Sequence, residues 1–174
     1  MCFKPKTKCF DCLNRVLLPV TDEVIHHHLS GVNPDEPLRG GSRWDFVIGV
    51  YPLLTDDTCC FLAADFDKAS WQEDVTAFRE TCATTGVSCA VERSRSGKGA
   101  HVWIFFTNAI PAILARKLGE FLITETMERR PEIGFESYDR FFPNQDTMPQ
   151  GGFGNLIALP LQKKPRERGN SVFC

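Results

Sequence analysis

Two aspartates separated by one residue, Asp65-Phe66-Asp67, close the apolar run Phe61-Leu62-Ala63-Ala64. Side chains alternate along a strand, so Asp65 and Asp67 face one side and Phe66 the other. Two ionised carboxylates at that spacing repel, and a divalent cation between them removes the cost. Magnesium suits such a pair, because it takes oxygen ligands at about 2.0–2.1 Å and keeps waters or substrate phosphates in its shell. In two-metal phosphoryl transfer the ions stand roughly 3.5–4 Å apart, one acidifying the attacking hydroxyl and the other steadying the leaving group. Alone, an acidic pair equally suits a helix cap or a solvated turn. Ala63, on the same face, is expected to leave room above the sheet.

A second segment, Ser94-Arg95-Ser96-Gly97-Lys98-Gly99-Ala100-His101, joins two β-rich runs. Glycine lets a backbone approach phosphate closely, and successive N–H groups can form an anion nest. Lys98 and Arg95 supply positive charge, and Ser96 supplies a hydroxyl donor. His101 opens the next strand on the face of Trp103 and Phe105. The spacing is not that of a Walker A loop, and a strand follows instead of a helix. By itself the segment also reads as a flexible basic hairpin. Together, the two segments offer carboxylates for metal and a loop for a triphosphate from different strands of one sheet.

The elements that must carry them follow from pattern. Thr21-Asp22-Glu23 opens a short helix with an N-cap and an acidic first turn. Val24, Ile25, His28 and Leu29 form its apolar side, and Gly31 ends it. Residues 31–43 read as loop. Phe46–Tyr51 and Cys59–Asp65 read as strands joined by a turn. Trp71, Val75, Phe78 and Cys82 mark a helix that Gly86 stops. Cys89–Glu92 and His101–Phe106 are strands. Asn108 and Pro111 suit the first turn of a second long helix, with Ile110, Leu114, Leu118, Phe121 and Leu122 on its apolar face. Residues 132–137 suit a further strand, 139–154 a long loop, and Leu156–Leu161 a last strand. A basic, exposed tail, Lys163-Lys164-Pro165-Arg166-Glu167-Arg168, follows. The order predicts an α+β fold with an antiparallel or mixed sheet and helices packed on one face.

Bulk properties agree. The 174 residues suit one domain with a real core, and hydrophobic residues make up 43% of them. Residues 1–43 read as an N-terminal extension and 44–174 as the catalytic unit. Acidic residues number 22 and basic residues 20, so bulk charge does not coat duplex DNA, although a local basic groove is compatible. No apolar run is long enough to span a membrane and no signal-peptide core follows Met1, so the expected compartment is the cytoplasm. Five of the eight cysteines, Cys59, Cys60, Cys82, Cys89 and Cys174, lie in or beside apolar runs and read as small buried hydrophobes. Cys9-x-x-Cys12 has zinc-knuckle spacing, and Cys2 or His26–His28 could complete a Zn²⁺ site, but a second Cys-x-x-Cys is missing and unmetallated thiols are the favoured reading. His26-His27-His28 spans different helix faces and cannot give three ligands to one ion.

Asp65-Phe66-Asp67 resembles the first motif of archaeo-eukaryotic primases. Ser96-Gly97-Lys98-Gly99-Ala100-His101 is similar to their second motif, in which Ser, Lys and His contact nucleotide phosphates. The stretches Glu92–Trp103, Ser137–Asp146 and Gly151–Leu161 resemble the primase-polymerase domain of TOTE conflict systems, in which the primase accompanies helicase and nuclease domains. The resemblance implies an RRM-like catalytic core and template-directed primer synthesis from nucleoside triphosphates on single-stranded DNA or a primer-template. It implies two Mg²⁺ or Mn²⁺ ions on Asp65, Asp67 and a third carboxylate, taken as Asp139 with Asp146 as the alternative. It implies triphosphate contacts from Ser96, Lys98 and His101, and the neighbouring Ser94 and Arg95 are further nucleotide-binding candidates. Asn155 and Gln145 are candidates for base or sugar contacts, or for fastening the long loop. Arg129, Arg130 and Arg140 are candidate phosphate contacts. The rival functions are a non-catalytic RRM-like nucleic-acid-binding module and a metal-dependent nuclease or phosphatase. The alternatives for its context are a fragment of a larger helicase- and nuclease-containing protein, a stand-alone domain, or one subunit of an assembly.

Overall fold

A computed structural model describes residues 19–32, 46–131, 139–148, 150 and 152–174. In chain order these form α1 (Asp22–Ser30), β1 (Gly49–Val50), β2 (Thr58–Phe66), α2 (Trp71–Thr84), β3 (Ala90–Arg93), β4 (Ala100–Pro111), α3 (Ala112–Arg129), β5 (Arg140–Phe142), β6 (Ile157–Ala158), α4 (Lys163–Arg166) and β7 (Val172–Phe173). Five strands make one antiparallel sheet in the order β5-β2-β4-β3-β7, and β1 pairs antiparallel with β6 in a second sheet. This is the expected α+β architecture. Among the described residues no helix is long and apolar enough to cross a membrane.

The central strand is buried on both faces, which is why it reads as a continuous apolar run. Leu62, Ala64 and Phe66 of β2, with Val102 and Ile104 of β4, pack against Val75, Phe78 and Cys82 of α2 and Ala115, Leu122 and Ile123 of α3. On the opposite face Ala63, Trp103 and Phe142 pack with Ile157 of β6, and Val50 of β1 lies against them. The space expected above Ala63 is therefore filled. α1 is joined to the small sheet by the buried His28, whose Nδ1 accepts from Ile48 N–H at 3.2 Å while Nε2 lies 2.8 Å from Pro160 O. The accepting Nδ1 leaves the proton on Nε2, which donates to that carbonyl.

Several expectations are corrected. Asn108 lies within β4, which runs on to Pro111, and α3 begins only at Ala112. Leu114 and Phe121 do not face the core; they are 52% and 48% exposed. Leu122 is buried and Ile110 and Leu118 pack against the core as expected, and the buried face is completed by Ala112, Ala115, Gly119, Ile123 and Thr126. The cause is a close crossing: a Cβ on Gly119 would stand 2.9 Å from Phe141 Cζ and 3.0 Å from Leu62 Cδ2. The 139–154 loop contains β5. Beyond its exposed lysines and arginines the tail turns back, so that β7 pairs with β3 at the sheet edge. Of the cysteines read as buried, Cys59 and Cys82 are, Cys89 is half-buried, and Cys60 and Cys174 are exposed. Cys9, Cys12 and the strand expected over 132–137 lie outside the described residues.

Candidate active site

One rung of cross-strand partners traverses the whole sheet: Arg140 (β5), Asp65 (β2), His101 (β4), Glu92 (β3) and Phe173 (β7). Directly opposed residues share a face, so Asp65, His101 and Glu92 project away from α2 and α3. His101 Nδ1 lies 2.9 Å from Glu92 Oε2, and its Nε2 lies 3.6 Å from Asp65 Oδ1. Burial works against the imidazolium, but the hydrogen bond and charge of Glu92, with the charge of Asp65, hold the His101 pKa above its ordinary value.

Asp65 is shifted in the same direction, which in a carboxylate favours the neutral form. Burial raises its pKa first, and the charges of Asp67 and Asp139 raise it further against His101 and Arg140. Asp139 is brought alongside by its backbone N–H, which donates to Asp65 O at 2.8 Å. Asp146, in contrast, lies 2.6 Å from Arg116 on α3. The carboxylate set around Asp65 is thus Asp67 and Asp139. Its all-oxygen chemistry is what magnesium and manganese take, and its mutual repulsion is what a cation would remove. Among the described residues no three His, Cys, Asp or Glu side chains already converge on one point. Asp139 is paired with Arg140, and Asp67 lies 3.4 Å from Lys68. The donors fit the ions in type and neighbourhood, and would turn from these partners to hold them.

The basic loop meets the acidic strand end at Gly99, where a Cβ would stand 2.5 Å from Phe66 O and 3.1 Å from Asp67 Cα. Only glycine permits that approach. Within the loop, Gly97 N–H donates to Ser94 O at 2.9 Å and Lys98 N–H to Ser96 Oγ at 3.1 Å. These amides are used internally, so the loop's capacity for phosphate lies in the exposed Arg95 and Lys98 side chains more than in a backbone nest.

Residues 1–174 match the family described as TOTE conflict system, Archaeo-Eukaryotic Primase domain. The chain belongs to this family. No curated protein matches it.

In this primase domain the two motif segments stand side by side, on the partner strands β2 and β4. Asn155 is held elsewhere: its Nδ2 donates to Phe141 O at 3.0 Å and its Oδ1 accepts from Asn144 N–H at 3.2 Å, fastening the loop after β5. Arg129 Nη1 donates to Thr84 Oγ1 at 2.7 Å, joining α3 to α2. Glu92, not among the candidate site residues above, also joins this cluster. Its signal was the tight hairpin. The loop Ser94–Gly99 closes by Ser94 N–H to Gly99 O at 2.8 Å, and that register sets Glu92 opposite His101.

Proposed function

We propose that this primase domain is a metal-dependent nucleotidyltransferase that builds a DNA or RNA strand on a single-stranded template from nucleoside triphosphates. The observation that carries the reading is the single sheet rung that sets Asp65 against His101, with the Ser94–Lys98 loop and Asp139 beside it. Asp65, Asp67 and Asp139 would hold two Mg²⁺ or Mn²⁺ ions, which when bound neutralise phosphate charge and acidify the attacking hydroxyl. Lys98, Arg95, Ser94 and Ser96 bind the outer phosphates. His101, whose Nε2 lies 3.6 Å from Asp65 Oδ1, donates a charge-assisted hydrogen bond to a phosphate oxygen beside Asp65. A 3′-hydroxyl attacks the α-phosphorus in line and pyrophosphate leaves. The chain's contribution is position and charge. Phe105, 60% exposed and parallel to Trp103 at a ring distance of 6.0 Å, offers a flat face for a template base on the same side of the sheet.

The test is extension of a labelled primer on a single-stranded template with nucleoside triphosphates and Mn²⁺. Asp65→Ala and Asp67→Ala are expected to abolish extension, and His101→Ala to reduce it by roughly a hundredfold. Extension that survives in either aspartate variant would sink the metal assignment. Strand shortening without added triphosphate would favour a nuclease instead.

A further inference from the structure

Glu92 is 2% exposed, an uncommon place for a carboxylate. Three donors converge on it. His101 Nδ1 lies 2.9 Å from its Oε2, Trp103 Nε1–H donates to the same oxygen at 3.1 Å, and Ser171 Oγ donates to its Oε1 at 3.3 Å. A buried acid retained where an apolar residue would pack is a weak argument for stability, and so invites a question about specificity.

The surroundings of His101 give the answer. Trp103 and Phe142 stand edge-on to its ring, at 77° and 88°, and so define the ring plane. Neither aromatic distinguishes one ring nitrogen from the other. Glu92 does: as an acceptor it requires the proton on Nδ1, in the neutral ring as in the charged one, and this directs Nε2 toward Asp65. Glu92 is fixed in turn from the C-terminal segment. Ser171 is fully buried and adopts φ 53, uncommon outside glycine. Its Oγ also accepts from Gln162 N–H at 3.3 Å, and its carbonyl accepts from Leu161 N–H at 2.7 Å.

We infer that Glu92 is a positioning residue that fixes which nitrogen of His101 faces the reaction centre, and that Ser171 holds Glu92 in place. The inference rests on the proposed triphosphate site for its functional consequence, but not for its geometry. Two measurements on the full chain separate these. Nitrogen-detected NMR of the histidine rings in the free protein should show an Nδ1 proton on His101 protected from solvent. Glu92→Ala should lose that signal, Glu92→Gln, whose amide oxygen still accepts, should retain it, and the milder Ser171→Ala should exchange it faster. In nucleoside triphosphate binding, Glu92→Ala should weaken affinity by about tenfold, the scale of one charged hydrogen bond. The same change in a His101→Ala background should cost nothing further. An Nδ1 signal unaltered in both Glu92→Ala and Ser171→Ala would overturn the inference. So would an affinity loss that persists undiminished without His101. Should Glu92→Ala fail to fold, the Ser171→Ala exchange rate decides alone. If the ring signals behave as expected and wild-type protein binds no triphosphate, the positioning stands and the proposed function falls.

Discussion

Asp65 concentrates the electrostatics of the site. Its pKa is raised by burial first and by the charges of Asp67 and Asp139 next, with His101 and Arg140 opposing. Like charges gathered at a half-buried strand end destabilise the metal-free fold, and removing one relieves part of that repulsion. Asp67 is the cleaner position to change, since its described partner is the neighbouring, exposed Lys68. Without metal, Asp67→Asn should therefore melt at or slightly above the wild-type temperature. With Mn²⁺ the order should reverse. A ligand at a hundred times its dissociation constant stabilises the native state by about 2.7 kcal/mol. At roughly 2–4 °C per kcal/mol for a chain of this size, the wild type should rise by about 5–10 °C. The variant should lose most of that rise. Thermal melts with and without Mn²⁺ check this independently of catalysis, and an equal rise in both proteins would remove Asp67 from the metal set.

At the scale of elements, α3 shows how far pattern reaches. Its apolar residues recur at helical spacing, so the helix itself was legible, but only part of its buried face was: Leu122 and Leu118 meet the core and Leu114 and Phe121 do not. Leu114 and Phe121 carry the larger hydrophobicity, yet the sheet admits only the Ala115–Gly119 side because Phe141 and Leu62 approach within 3.0 Å of a Gly119 Cβ. Hydrophobicity predicts what is favourable to bury; the separation of layers decides what fits. Leu122, with 0% exposure, should cost about 2–5 kcal/mol when changed to alanine. Leu114→Ala should stay within about 0.5 kcal/mol. Urea unfolding distinguishes the two, and comparable losses would restore the face read from periodicity. The same division holds for the site. The strand ending in Asp65-Phe66-Asp67 and the glycine-rich loop were visible because local composition defines them. β5 and β7 were not, because strands of three and two residues carry no period and exist through pairing with β2 and β3. Glu92 was visible as a residue, but its relation to His101 is a register between two strands.

At the scale of the whole molecule, the sheet is built from both ends of the sequence order. β2 and β4 supply the centre, whereas the last strand, β7, covers the edge of β3, the strand that carries Glu92. Cys174 N–H donates to Val91 O at 3.0 Å, Ser171 N–H to Ser94 O at 3.4 Å, and the Asn170 side chain packs against Gly97 with its Nδ2 3.4 Å from Arg95 O. The tail is thus exposed along its basic helix and structural beyond it. Deleting residues 171–174 removes the Cys174 and Ser171 bonds, leaves the β3 edge unpaired and deprives Glu92 of the Ser171 hydroxyl. Backbone hydrogen bonds contribute about 0.5–1.5 kcal/mol each, so the loss should be a few kcal/mol. The melting temperature should fall by roughly 5–10 °C. Triphosphate affinity should fall with it even well below the new midpoint, because the loop and Glu92 lose their support before the core does. Melting curves and binding isotherms at a temperature where the shortened chain is fully folded provide the check. A shortened protein that melts and binds like the full chain would show that the C-terminal segment lies against the site without supporting it.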